Sequence, residues 1–208
     1  MSSVPPLALF GGTFDPVHRA HIEGALAVSK VLGGATVRLI PNAVPPHRPQ
    51  PRATAQQRLA MLELACQDWP ELEVDDIELR RPQPSYSIDT LRHFRALIGQ
   101  RPLIFILGAD SFASLDSWHN WREFATLCHL VVLPRPGAAE ASTQVCQAFA
   151  ASDSKGLLSH PAGLRLMLTQ PWLDLSATAI RDTLARGERC ERLPASVREY
   201  IEQQHLYQ

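Results

Sequence analysis

The stretch from Pro6 to Leu32 constrains the fold more than any other. An apolar run, Pro6-Leu7-Ala8-Leu9-Phe10, leads into the paired glycines Gly11-Gly12. Beyond them Ile22, Ala25, Leu26, Ser29 and Leu32 recur at helical spacing, and Gly33-Gly34 stops the pattern. Strand, glycine turn and helix in that order form a unit whose turn offers free N–H groups to a phosphate. His18 and His21 fall three residues apart at the start of that helix, on one face of it. A phosphate held by the turn would therefore meet two imidazoles.

The rest of the chain repeats this alternation. Thr36–Ile40 reads as a second strand, and the proline-rich loop Pro41–Arg52 follows. Thr54-x-x-Gln57 is a capping box that opens a helix running to about Gln67. Leu72–Leu79 alternates enough to predict a strand. Ser87–Leu97 predicts a helix with Ile88, Leu91, Phe94 and Leu97 inward. Leu103–Leu107 and Leu130–Leu133 are continuous apolar runs, as expected of strands buried on both faces, and Leu164–Leu168 is a further strand. Gly137–Gly163 is weakly patterned and reads as an insertion or a mobile loop. Ser176–Arg186 and Pro194–His205 are closing helices. The expected fold is α/β, a Rossmann-like, doubly wound, mostly parallel sheet with helices on both faces and a small helical part over about 176–208. We expect one domain over 1–208. Ligands of such sheets bind beyond the carboxyl ends of the strands, where Gly11–His21, Asn42–Arg48, Gly108–Asp110 and Arg135 all fall.

A formal net charge of −1 gives no bulk attraction for nucleic acid or an anionic membrane, so any polyanion must be held locally. The four cysteines, Cys66, Cys128, Cys146 and Cys190, form no C-x-x-C pair, which disfavours a zinc site or a disulfide framework and fits a cytoplasmic protein. No basic-then-apolar leader and no apolar run of the ~20 residues needed to span a bilayer is visible. His18 and His21 lack the third ligand that a metal site needs, so no metal is assigned to protein side chains.

A second candidate site is Leu175-Ser176-Ala177-Thr178-Ala179-Ile180-Arg181. Ser176 or Thr178 can cap the helix that follows, and its N-terminus carries a partial positive charge of ~0.5. Arg181 adds a permanent, forked cation. Alone, this segment fits an ordinary capped helix equally well.

Together, Gly11-Gly12-Thr13-Phe14-Asp15-Pro16-Val17-His18-x-x-His21 and Ser176-x-Thr178-x-Ile180-Arg181 resemble the paired signature of the nucleotidylyltransferase superfamily. Further segments resemble the bacterial nicotinate-nucleotide adenylyltransferases nearly end to end. These are Pro41–Arg48, Pro84–Leu91, Phe105–Ser111, Trp118-His119-x-Trp121, Arg135-Pro136-Gly137 and Val197–Tyr207. One position departs from the family pattern, since Ala20 stands where a glycine is usual before the second histidine.

The resemblance implies that ATP and nicotinate mononucleotide give deamido-NAD and pyrophosphate. It implies catalytic roles for His18, His21 and Arg181. Gly11, Gly12, Thr13, Phe14, Gly108, Asp110, Ser176, Ala177 and Thr178 would join these three in binding ATP. His47, Arg48 and Arg135 are candidate phosphate contacts. Backbone groups of Tyr86 and Ser87 would take the nicotinate carboxylate, and Trp118 would stack on the pyridine ring. Mg²⁺ is implied with ATP, held mainly by phosphate oxygens and water. No nucleic-acid or membrane partner is expected, and oligomeric state is left open. Alternatives are a nicotinamide-mononucleotide-preferring enzyme, a phosphopantetheine adenylyltransferase, and, from another class, a nucleotide-binding sensor without turnover.

Overall fold

The computed structural model of the protein describes residues 4–43, 50–82, 84–169 and 175–208. In chain order the elements are β1 (Leu7–Gly12), α1 (Arg19–Val31), β2 (Val37–Pro41), α2 (Ala55–Cys66), β3 (Leu72–Val74), α3 (Ile77–Arg80), α4 (Ser87–Ile98), β4 (Leu103–Gly108) and α5 (Ala109–Ala113). After two 3₁₀ turns, Leu115–Ser117 and Trp121–Glu123, come α6 (Phe124–Leu127), β5 (His129–Leu133), α7 (Thr143–Ala148), β6 (Ala150–Ala151), α8 (Ser154–Ser159), β7 (Leu164–Met167), α9 (Ala177–Ala185) and α10 (Ala195–Gln203). The strands form one seven-stranded sheet in the order β3-β2-β1-β4-β5-β7-β6. Every described pairing is parallel, so the mostly parallel sheet expected from the sequence is wholly parallel here.

Strand pleating divides the apolar runs between two cores. Ala8, Phe10, Val37, Leu39, Ile104, Ile106, Val131 and Leu133 pack with α1, α2 and α10 on one face. Leu7, Leu9, Ile40, Leu103, Phe105, Leu107, Leu130 and Val132 pack with α4, Trp121 and Phe124 on the other. Continuous burial on both faces is why these strands read as unbroken apolar runs. β1 lies between β2 and β4. The crossovers run outward from it in both directions, so a crevice opens at its carboxyl end.

Three sequence expectations are corrected. The strand starting at Leu72 ends at Val74, because the Asp75 carboxylate accepts the Ile77 N–H at 3.0 Å and turns the chain into α3. Leu97 is exposed at 67%, while Ile98 packs on the core. At 100° per residue, Ile98 continues the stripe of Ile88, Leu91 and Phe94, whereas Leu97 falls off it. The segment from Gly137 to Gly163 holds α7, β6 and α8, with N-caps from Ser142 and Asp153, and supplies the sheet's edge. Its elements are too short to show a period.

Candidate active site

The carboxyl ends of β1, β4 and β5 open into a cleft of about 890 Å³. β1 delivers Gly11 and Gly12 to it, and the turn Thr13–Asp15 then feeds α1. Gly12 is demanded by the protein itself, since a Cβ there would sit 2.8 Å from the Phe14 ring. Phe14 is fixed in the left-handed region at φ 49°, with its ring edge-on to His21 at 5.0 Å. Gly11 and Gly108 are different. A Cβ on Gly11 would make only an ordinary 3.6 Å contact with Phe105, and one on Gly108 would meet nothing within 4 Å. Both line the cleft, where a missing side chain leaves backbone open to a ligand. Ala20 also lines it, buried in the first turn of α1, and its methyl occupies space that a glycine would leave empty.

His18 is the N-cap of α1, and its ring stacks on His21 at 3.7 Å. The His18 N–H donates to His21 Nδ1 at 3.2 Å. That bond makes Nδ1 the acceptor, so neutral His21 carries its proton on Nε2 as a donor. Burial pushes the His18 pKa down to about 4. It pushes His21 well below its ordinary 6.5, and His18 pushes in the same direction. Burial thus favours the neutral form of both imidazoles near pH 7, and a bound anion would favour the charged form. α1 has no acidic residue in its first turn, so its positive end is not offset from within the helix.

The same cleft takes the start of α9. Ser176 is its N-cap and accepts the Ala179 N–H at 3.4 Å, whereas Thr178 accepts Arg181 Nη2 at 3.0 Å. Of the two candidate caps, Ser176 is the one used. Ala177 lines the cleft beside them, and α9 also lacks an acidic first turn. Buried polar atoms without a hydrogen-bond partner include His18 Nδ1, Asn42 Oδ1 and Arg181 Nε, all in cleft-lining residues. Such atoms are costly in a folded protein and mark places where a ligand can complete the bonding.

Asp110 follows β4 and Arg135 follows β5, and the two form a half-exposed ion pair across the cleft mouth. At the other end, Trp118 lies edge-on to Phe105 and Phe124, with centroids at 6.3 and 6.1 Å, and still lines the cleft. Tyr86 is the N-cap residue of α4 and gives it no side-chain cap; the Asp89 N–H donates to the Tyr86 carbonyl at 3.0 Å, so the earlier N–H groups at Ser87 and Ile88 are the ones an anion could take, with the Asp89 carboxylate in the same turn. The Tyr86 ring packs against His119 at 4.4 Å. His47 and Arg48 lie outside the described residues. The other candidate residues all line the one cleft.

The sequence reading assigned no role to several cleft residues. Asp15 accepts hydrogen bonds from the Arg52 and Ala53 N–H groups and from the Tyr207 hydroxyl. Its place inside the glycine-turn motif was the available signal. Glu78, 5% exposed, accepts the Thr90 hydroxyl at 2.7 Å, and its pKa is raised chiefly by burial. Nothing local in the sequence distinguishes Glu78 from a surface glutamate. Among the described residues no group of three His, Cys, Asp or Glu could hold a metal ion.

Residues 9–183 match the cytidylyltransferase-like family. A protein of Klebsiella pneumoniae named "Probable nicotinate-nucleotide adenylyltransferase" is 44% identical over 207 residues, 96% of each chain. A protein of the same name from Yersinia enterocolitica is 45% identical over 96% of this chain and 94% of its own. The fold matches that of Plasmodium falciparum nicotinic acid mononucleotide adenylyltransferase complexed with NaAD. The TM-score is 0.77 over 98% of both chains, at 14% identity.

Proposed function

The chain belongs to the cytidylyltransferase-like family and, within it, to the nicotinate-nucleotide adenylyltransferases, and we propose that it transfers AMP from ATP to nicotinate mononucleotide. The products are deamido-NAD and pyrophosphate, a step of NAD biosynthesis. The observation that carries this reading is a single cleft with distinct ends. Two helix N-termini, two neutral imidazoles and Arg181 form one end. An aromatic wall and the uncapped start of α4 form the other.

The chemistry needs little from a base, because the attacking phosphate oxygen of the mononucleotide is already ionised near pH 7. It attacks the α-phosphorus of ATP in line. The new P–O bond forms as the bond to the bridging oxygen breaks, and the electron pair leaves with pyrophosphate. The task is to bring two anions together and spread the developing charge, through positioning and preorganised donors. His21 Nε2–H, His18, Arg181 and the first turns of α1 and α9 serve the triphosphate. Gly11, Gly12, Thr13, Phe14 and Gly108 line the nucleotide, and Asp110 takes a ribose hydroxyl once it leaves Arg135. Arg135, with His47 and Arg48, contributes phosphate contacts. Mg²⁺ bound with ATP, held mainly by phosphate oxygens and water, would supply charge neutralisation there.

Trp118 stacks on the pyridine ring, and the N–H groups at Tyr86–Ser87 take the carboxylate. A neutral carboxamide would leave those donors poorly matched, which favours the acid. We read 1–208 as one catalytic domain that works in the cytoplasm. No helix of the described residues is long and apolar enough to cross a membrane.

The test is pyrophosphate release with ATP, Mg²⁺ and, in separate reactions, nicotinate mononucleotide, nicotinamide mononucleotide and phosphopantetheine. Release fastest with the nicotinate form is expected. Faster release with another acceptor would reassign the substrate, and no release with any would leave a nucleotide-binding sensor.

A further inference from the structure

We propose that Tyr207 is a positioning residue for the triphosphate end of the cleft, its hydroxyl occupying the Asp15 carboxylate so that Arg181 stays aimed at the ligand. The inference rests on the adenylyl-transfer reading above. Asp15 and Tyr207 are each 6% exposed, and they are 192 residues apart in sequence. The Tyr207 hydroxyl donates to Asp15 Oδ1 at 2.7 Å. The Ala53 N–H donates to the same oxygen at 3.1 Å, and the Arg52 N–H to Oδ2 at 2.9 Å. Three neutral donors therefore satisfy a buried carboxylate.

Two arginines flank it, and neither closes on it. Arg58, 1% exposed, gives Nη1 to the Thr13 carbonyl at 2.7 Å and Nη2 to the Ala43 carbonyl at 2.9 Å. Arg181 gives Nη1 to the Asp15 carbonyl at 2.7 Å and stands 3.9 Å from Oδ2. Arg181 is thus held by the Asp15 carbonyl and the Thr178 hydroxyl, and it pairs with the carboxylate only loosely, at 3.9 Å and without a hydrogen bond to it. Without the Tyr207 hydroxyl, Oδ1 keeps one donor in a buried setting, where an incompletely bonded charge is strongly disfavoured. Arg58 is anchored by two carbonyls, whereas Arg181 already stands 3.9 Å from Oδ2 and can make up the loss by closing onto the carboxylate, and in doing so it leaves the triphosphate.

The chain after α10 is shaped to deliver the ring. His205 and Tyr207 both take positive φ, 51° and 64°, and the Leu206 N–H bonds back to the Ile201 carbonyl at 3.0 Å. Non-glycine residues in the left-handed region persist where surrounding contacts hold them. Burial, with Asp15 beside it, raises the hydroxyl's pKa, so the group remains a donor near neutral pH.

The experiment is steady-state pyrophosphate release by wild type and Tyr207→Phe, at a temperature where melting shows both folded. The ring keeps its packing in this variant and only the hydroxyl is lost. We expect the KM for ATP to rise about tenfold, the effect of losing one bond to a charged group, with the KM for nicotinate mononucleotide unchanged. In an Arg181→Gln background Arg58 remains tied to the Thr13 and Ala43 carbonyls and the cation that serves the ligand is already gone, so Tyr207→Phe should add almost nothing. Calorimetric titration with ATP reads the same coupling without turnover. Unchanged ATP affinity in Tyr207→Phe, an equal rise in both KM values, or a full penalty in the Arg181→Gln background overturns the proposal. An inactive wild type counts against the functional reading instead, and the calorimetry then decides the Tyr207 role separately.

Discussion

His18 and His21 bring two stacked imidazoles to the cleft, the pair proposed to serve the triphosphate. Stacked, with His18 buried and His21 half-buried, they are held toward the neutral form, and the His18 N–H bond leaves the proton of neutral His21 on Nε2. The cost appears as acid sensitivity. Folded His18 stays neutral down to about 4, whereas an unfolded histidine protonates near 6.5. Between those values the unfolded chain binds a proton that the folded chain refuses, so stability falls as pH falls through that window. At about 1.4 kcal/mol per pH unit, the full loss from this site is about 3 kcal/mol. Denaturant unfolding at a series of pH values should show that decline in wild type, with a shallower one in His18→Gln. Equal slopes would mean that His18 is not held neutral.

At the scale of elements, α1 and α9 matter through their ends more than their sides. Each starts at the cleft, and neither has an acidic residue in its first turn. An acid there would stabilise the helix and repel the triphosphate, so the two effects separate. Arg19→Glu places one on the exposed first residue of α1. It should leave the melting temperature equal or slightly higher, since such a charge contributes ~0.3–1 kcal/mol, and raise the KM for ATP about fivefold. A lowered melting temperature with unchanged KM would remove α1's positive end from the argument. The sequence made this scale legible where residues have local jobs. Gly33-Gly34 stops α1, Thr54 and Gln57 cap α2, and of the two caps the sequence offered for α9 the structure uses Ser176. It failed at Leu97 and at the Asp75 turn because one residue of helical phase, or one carboxylate on one N–H, outweighs a short apolar pattern.

Across the whole molecule, the sheet brings the residues proposed for the two substrates to distinct ends of one cleft. α1, whose start faces the proposed triphosphate end, packs on one core, and Trp118 packs against the other. Trp118→Ala should therefore raise the KM for nicotinate mononucleotide about tenfold and leave that for ATP near its wild-type value. Equal changes in both, or a variant that merely melts earlier, would make Trp118 a packing residue only.

The sequence by itself determined the alternating strands and helices, the glycine turn, a cap at Ser176 or Thr178 and the family. These rest on periodicity and on residues whose neighbours in space are also neighbours in the chain. Only the tertiary structure decided that Asp15 is shared by Arg52, Ala53, Arg181 and Tyr207, and that Glu78 is buried beside Thr90. It alone decided that His18 and His21 are held toward the neutral form. Burial, hydrogen bonding and charge depend on what packs around a group, and here those neighbours come from segments as far as 192 residues away in the chain.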